Sequence, residues 1–315
     1  MIKTNLLLVL VGLLLPSSLV KCWWRNGHLL TATVAHIELS KNHPNTLQKA
    51  EAMLKGLSDY TSFEGKSPFI ECATWADEIK EQGLDVQSHW HFVDDPLFAD
   101  NFTKPDWYPT LYNVTWALTE FQKYLSKPHP NHNDPQIQPL FGEGFNLRLL
   151  IHYVGDIHQP LHASDRYSKD HPDGDQGGNL FMLQNFGFDD IIELHALWDS
   201  ILAQFPDDPD LPLSDAALQN LMKNANMFTS DNPRDSFTDL NAPTNDWHLE
   251  SSQLAKDYVY TGIVEGQKPS QEYIDIGFKV AKRQIAKGGY RLADLLVKLL
   301  GDNKLQESKF LQQSD

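Results

Sequence analysis

A histidine and an aspartate four residues apart, inside a segment that is otherwise apolar and helical, constrain this chain more than any other feature. The segment reads Ile151-His-Tyr-Val-Gly-Asp-Ile-His-Gln-Pro-Leu-His162. On a helix, His152 and Asp156 lie one turn apart on the same face. Pro160 ends that helix, and His162 follows in the loop. A second apolar helical segment repeats the pair as His195-Ala-Leu-Trp-Asp199. Polar groups on a core-facing stripe must be satisfied there. Neutral imidazole and carboxylate are the usual zinc ligands besides thiolate. The same spacing also occurs at His91/Asp95 and His171/Asp175, and with 13 histidines about one such pair arises by chance. The His171 pair spans Pro172 and Gly174, so it is not helical. A lone pair of this kind is more often a structural His–Asp contact. Two helical pairs together with His162 point to metal.

The frame around these pairs is helical. Apolar residues recur at helical spacing over 29–39, 44–57, 73–80, 111–125, 145–157, 190–205, 214–227, 247–263 and 273–300. No run alternates as a strand. Polar, Pro- and Gly-rich loops separate the segments at 127–139, 164–178, 206–212 and 230–244. The 315 residues, 41% of them hydrophobic, suffice for one large core, with no repeat or composition break to divide it. The expected fold is all-α: a single mainly helical domain over 23–300, followed by a flexible tail over 301–315.

The first residues read as a targeting signal. Lys3 precedes the apolar run Leu6–Leu15, Pro16 breaks it, and Val20-Lys21-Cys22 offers a cleavage site. The run is too short to span a bilayer. Cleavage after Cys22 gives a mature chain starting at Trp23, without a stable membrane anchor. A secreted product is expected, or one in the lumen of a vacuole or lysosome. The sequons at Asn101 and Asn113 agree with that route. Only Cys72 then remains, so no internal disulfide can form, and an inert buried thiol is expected. The formal charge is −16 for the whole chain and −18 once Lys3 and Lys21 are removed. Such a chain repels polyanions. Binding one requires local cations, and metal ions would supply them.

Further pieces accompany the two pairs. The mature start is Trp23-Trp-Arg-Asn-Gly-His28, Trp75-Ala-Asp-Glu-Ile-Lys80 sets Asp77 and Lys80 on one helix face, and Trp90-His-Phe-Val-Asp94 adds a histidine and a carboxylate. In order and spacing these segments, with His-x3-Asp-x5-His, Gly177-Gly-Asn179 and the second His-x3-Asp, resemble the zinc-dependent single-strand nucleases of fungi and the type I nucleases of plants. That family shares its fold with bacterial zinc phospholipase C. The resemblance runs from Trp23 to about Leu300 and includes Trp247…Glu250-Ser251 and Gln284…Gly289-Tyr-Arg-Leu-Ala293.

The resemblance implies a cleft with three zinc ions. Asp77, His91, His152 and Asp156 would hold the first. The amino and carbonyl groups of Trp23, His28 and a bridging Asp156 would hold its neighbour. His162, His195 and Asp199 would hold the third. Lys80 matches the lysine near the phosphate. Phe92 and Asp94 match residues that stack on and hydrogen-bond a base, and Asn179 matches an asparagine that also reads it. The implied reaction cleaves phosphodiester bonds in single-stranded RNA and DNA to 5′-phosphorylated products and removes the phosphate of 3′-mononucleotides. Asp77, Lys80 and Asp156 would be the catalytic groups. No obligate protein partner is expected.

Taken without the resemblance, several of these residues read otherwise. Lys80 fits an ordinary solvated lysine, Phe92 a core aromatic, and Asp94 and Asp95 the caps of a turn. His158 fits an exposed or supporting residue. Two rival functions remain. A phospholipase C of the same fold carries His-x3-Glu at the third zinc, where this chain has Asp199. A non-catalytic zinc-binding protein has no need of Lys80.

Overall fold

The computed structural model describes residues 23–99, 102, 111–127 and 141–301. The expected targeting signal, the tail beyond Gly301 and the Asn101 sequon lie outside the described residues. Among the described residues ten α-helices run in order: α1 (Arg25–Asn42), α2 (Pro44–Leu54), α3 (Pro68–Glu71), α4 (Trp75–Glu81), α5 (Val114–Leu125), α6 (Phe141–Asp156), α7 (Leu194–Asp199), α8 (Asp215–Asp231), α9 (Trp247–Leu254) and α10 (Gln271–Leu300).

Local chemistry sets many of the ends. Pro44 opens α2, where its missing N–H costs nothing. Asn113, Ser214 and Ser270 cap α5, α8 and α10 by accepting amides of their first turns. Asn113 is 8% exposed, and its Oδ1 takes the Thr115 and Trp116 amides, so this sequon also reads as a capping signal.

The long helices pack around α1 and α6. Residues 26–35 of α1 and 147–156 of α6 are buried in unbroken runs. A helix covered on all sides needs neighbours on all sides. α10, 30 residues and about 45 Å long, lies along α1. Gly289 permits that approach, because a Cβ there would sit 2.4 Å from Val34 Cβ.

Three expectations change. Helix 190–205 shrinks to α7, because Ile201, Leu202 and Ala203 all take positive φ (54°, 56° and 58°), which turns the chain away. Helix 247–263 ends as α9 and a π-turn over Ala255–Val259. And two strands do occur: β1 (Pro96–Phe98) pairs in parallel with β2 (Asp165–Tyr167), with Pro96 opposite Asp165. Three residues are too few to show alternation in sequence. The pair still has a job, since it binds the loop after His91 to the loop after His162. Among the described residues, no helix is long and apolar enough to cross a membrane.

Candidate metal centre

The ligand candidates come from five places in the chain and meet in the interior. His28 lies in the first turn of α1, Asp77 on α4, and His91 at the end of a 3-10 turn over Asp85–His91. His152 and Asp156 close α6, with His162 in the 3-10 turn that follows. His195 and Asp199 sit on α7. They form three groups whose ligand atoms can converge on a metal ion: His28/His152/Asp156, Asp77/His91/His152 and His162/His195/Asp199. The first and last groups are wholly buried.

Hydrogen bonds on the outer side of the rings fix what faces inward. His152 Nδ1 lies 2.6 Å from Ala73 O, His162 Nδ1 3.0 Å from His91 O and His195 Nδ1 2.7 Å from Gly177 O. A carbonyl only accepts, so each Nδ1 donates and each Nε2 presents a lone pair. Those lone pairs point at carboxylate oxygens. His152 Nε2 is 3.1 Å from Asp156 Oδ2, and His195 Nε2 is 3.2 Å from Asp199 Oδ2. His162 Nε2 is 3.9 Å from Asp199 Oδ1. Acceptors facing acceptors at these distances require a positive charge among them.

Unsatisfied atoms repeat the message. Neither nitrogen of His28 has a hydrogen-bond partner, and the residue is 1% exposed. Asp156 Oδ1 lacks one as well and stands 3.4 Å from His28 Nε2. Its other oxygen, Oδ2, is 3.0 Å from His91 Nδ1, so one buried carboxylate joins two groups. Asp77 completes the set at 3.7 Å from His91 and 3.9 Å from His152. Orphaned buried polar atoms are costly, and a cluster of them is a metal-site signature. The donor set suits zinc: nitrogens and carboxylate oxygens in threes.

Electrostatics point the same way. Burial holds the His28 imidazole down at about 3 and the His91 ring down at about 4. Burial also pulls on His152, yet the Asp156 and Asp77 carboxylates override it and raise this ring. Burial works against the charge on Asp156, but His152 and His162 hold its carboxyl well below the usual range. The carboxylates thus favour positive charge at His152, and a proton and a metal ion compete for its Nε2 lone pair.

Backbone bonds bring further residues to the third group. Val93 N donates to His162 O (2.8 Å), while His162 Nδ1 donates to His91 O. The half-buried Phe92 therefore lies beside His162. On the other side, Gly177 holds the His195 ring and Gly178 O accepts the His195 amide at 3.3 Å, which places Asn179 next to this group. Asp94 is half-buried near β2; burial, with Asp165 and Asp95 at hand, pushes its carboxyl up to about 7. Lys80 is nearly buried, one turn from Asp77 on the same helix face.

Trp23 is 1% exposed; its indole donates to Gly155 O (3.0 Å), and the Trp24 amide donates to Asp199 O (3.2 Å). The segment at Trp23 and Trp24 thus runs along α6 and α7. Gly155 makes room, since a Cβ there would meet His28 Nδ1 at 2.7 Å.

A model of the S1/P1 nuclease family matches residues 23–301. The chain belongs to the S1/P1 nuclease family. Endonuclease 1 of Arabidopsis thaliana is 27% identical over 96% of this chain and 95% of its own length. Nuclease S1 of Aspergillus oryzae is 25% identical, covering 86% of this chain and 89% of its own. Nuclease P1 of Penicillium citrinum is 22% identical, with coverages of 89% and 98%.

Some supporting residues were not evident in the sequence. Gln159 is fully buried, donates to Asp199 Oδ1 (2.8 Å) and accepts the Leu161 amide (2.5 Å), so it ties the third group to the turn that carries His162. Asp175, from the non-helical His171/Asp175 pair, accepts from the Arg166 and Gly178 amides (both within 3.1 Å) and braces the loop before Asn179. His158 proves buried and holds the turn through Val154 O and Arg291. Asp95 pairs with His248 at 2.5 Å, and not with His91. Cys72 is buried, as expected, and burial pushes its thiol well up.

Gln159→Leu should leave the fold intact and weaken one metal site selectively. A lost supporting hydrogen bond of this type costs about 10–100-fold in metal affinity. Competition with a chromophoric chelator should show one of the bound ions released at correspondingly lower chelator concentration. Unchanged release of every ion would remove Gln159 from this role.

Proposed function

We propose that this protein is a zinc-dependent endonuclease of single-stranded RNA and DNA that also dephosphorylates 3′-mononucleotides. Three zinc ions fit the reading, held as follows: one by Asp77, His91, His152 and Asp156; one by the Trp23 amino and carbonyl groups, His28 and Asp156; one by His162, His195 and Asp199. The observation that carries it is the third buried acceptor group, flanked by Phe92 on one side and Asn179 on the other. That arrangement sets a stacking ring and an amide beside the place where a phosphate oxygen would be held. The family match and the names of the similar proteins support it. The chain is read as a targeting signal (1–22), a nuclease domain (23–300) and a tail, reaching the exterior or the lumen of a vacuole or lysosome.

Bound zinc supplies a water acidified to about neutral pKa and a Lewis acid for phosphate oxygens. The chain's own groups do the rest. Asp156 and Asp77 orient the imidazoles and offset the positive charge they gather. Lys80 places its ammonium near the phosphate, where negative charge builds up in the transition state. Phe92 stacks on an unpaired base and Asn179 hydrogen-bonds it, so the nucleoside that departs with the free 3′-hydroxyl lies between them. Asp94 accepts from a base N–H when ionised and donates when protonated, and it changes over near pH 7.

A stacked, edge-read base must be out of its duplex. Unpairing costs a few kcal/mol, so a single strand should be cut about a hundredfold faster than the same strand annealed to its complement. Initial rates on both substrates test this, and equal rates would sink the reading.

A further inference from the structure

The Asp77/His91/His152 group draws its ligands from three separate elements: Asp77 from α4, His91 from the 3-10 turn over Asp85–His91, and His152 from α6. Their side chains are not equally enclosed. His91 and His152 are fully buried, whereas the Asp77 side chain is 27% exposed. α4 has seven residues, too few for a helix to hold itself in place without outside contacts. Something must fix Asp77 against the two rings.

Gln87 touches all three elements. It belongs to the 3-10 turn, about one turn before His91, and is 1% exposed. Its Nε2 donates at 2.6 Å to Ala76 O, the carbonyl of the peptide that joins Ala76 to Asp77. Its Oε1 accepts from the Tyr153 hydroxyl, and Tyr153 follows His152 on α6. A side-chain amide both donates and accepts, and here each end is engaged. Tyr153 is itself held fast. It is 0% exposed and stacks on Phe121 of α5, with centroids 5.8 Å apart and 11° between the planes. It also meets the His91 ring at 88°, with centroids 4.9 Å apart. The path from Ala76 through Gln87 to Tyr153 thus ties the backbone at Asp77 to the helix of His152 and sets both against the His91 ring. Lys80 is carried by the same short helix as Asp77, so the tie places it too.

We infer that Gln87 is a positioning residue for the metal ion held by Asp77, His91 and His152: it sets the gap that this ion fills and, with it, the place of Lys80. The inference rests on the proposed zinc-dependent function. An amide that only satisfied a buried carbonyl and a buried phenol would contribute stability and leave metal affinity alone. A positioning amide sets the affinity of one site and leaves the ion at His162, His195 and Asp199 in place.

Gln87→Leu keeps the volume and removes both bonds. Chelator competition on zinc-loaded protein, well below its unfolding temperature, should show one ion released at about 10–100-fold lower chelator concentration. Cobalt in place of zinc identifies that ion. Its loss leaves the ion at His28 and Asp156 without a carboxylate-bridged neighbour, so the magnetic coupling seen by paramagnetic resonance should vanish while the signal of the third group persists. Leucine also strands the Tyr153 hydroxyl and lowers stability, so Gln87→Leu/Tyr153→Phe is measured beside it. Removing both partners of a buried hydrogen bond is nearly neutral. In the double variant the Tm of chelated protein should return toward that of the unaltered protein, while the affinity of the one ion stays low. An affinity that recovers together with Tm overturns the positioning role. So does an unchanged release profile in either variant, or the loss of an ion with the coupling intact. Unaltered protein that binds no zinc overturns the metal-dependent function itself, and the role of Gln87 with it.

Discussion

Asp156→Asn should abolish activity and release metal from two of the three groups at once. The carboxylate is fully buried, with Oδ2 3.0 Å from His91 and 3.1 Å from His152, and Oδ1 3.4 Å from His28 and 3.3 Å from His162. Asparagine fills the same volume, so the change is electrostatic. Its amide NH2 cannot ligate a metal, and the neutral amide removes the negative charge that the ligand groups share. Loss of Lewis-acid stabilisation worth several kcal/mol corresponds to a drop in kcat of about 10³-fold or more. On the proposed three-zinc reading, metal content should fall from three ions to one, the survivor being held by His162, His195 and Asp199. Thermal unfolding adds a check that does not depend on turnover. Metal binding is folding energy, so the Tm gap between metal-loaded and chelated protein should shrink markedly in the variant. Full occupancy with an unchanged Tm gap would show that Asp156 is not shared between the groups.

The pH dependence of that metal stability follows from the same residues. Burial opposes charge on both partners, but the carboxylates raise His152, and His152 and His162 lower Asp156. The raised ring holds its proton to higher pH than it would in an unfolded chain, so in chelated protein its contribution is present in acid and fades as pH rises through the folded value. The lowered carboxyl contributes above the ordinary carboxylate range and fades only at more acidic pH. Metal occupancy takes the opposite course to the His152 proton and is lost on acidification.

What could be read in the sequence was whatever repeats locally. His152/Asp156 and His195/Asp199 stand out because helical geometry turns a spacing of four into one shared face. The Ser and Pro signals at α2, α8 and α10 are local in the same sense. The losses occur where a residue's partner is distant in the chain. Gln159 and Asp199 are 40 residues apart, and His248 and Asp95 are 153 apart. Nothing adjacent to either glutamine or histidine marks the pairing. The early end of α7 has a related cause. Ile201, Leu202 and Ala203 are good helix or core residues, and the turn away brings Leu202 against Gly277, where a Cβ would lie 2.9 Å from it, a contact 75 residues away in the chain. The strand pair escaped notice because β1 and β2 each hold three residues and exist to join two loops.

A mature chain with one extra residue before Trp23 should lose a metal ion and be nearly inactive. The described chain supplies the setting for this. Trp23 is 1% exposed, its indole is tied to Gly155 O, and the Trp24 amide is tied to Asp199 O. Gly27 packs under it, since a Cβ there would meet Trp23 Cβ at 2.7 Å, so the residue cannot slide along the groove. On the proposed reading its amino group joins His28 and Asp156 as a ligand. An added residue converts that amine into an amide, which does not bind zinc in its neutral form. The new amine would lie about 3.5 Å further along the chain, beyond reach of the same ion. His28 and Asp156 alone fall short of the usual three protein ligands of a catalytic zinc. Protein retaining Met directly before Trp23 should therefore bind about two zinc ions, with kcat reduced by about 10²–10³-fold. Trimming back to Trp23 with an aminopeptidase should restore both quantities together. Full zinc content and full activity in the extended form would show that the amino terminus is not a ligand. Restored zinc without restored activity would separate metal binding at this end of the chain from the chemistry assigned to it.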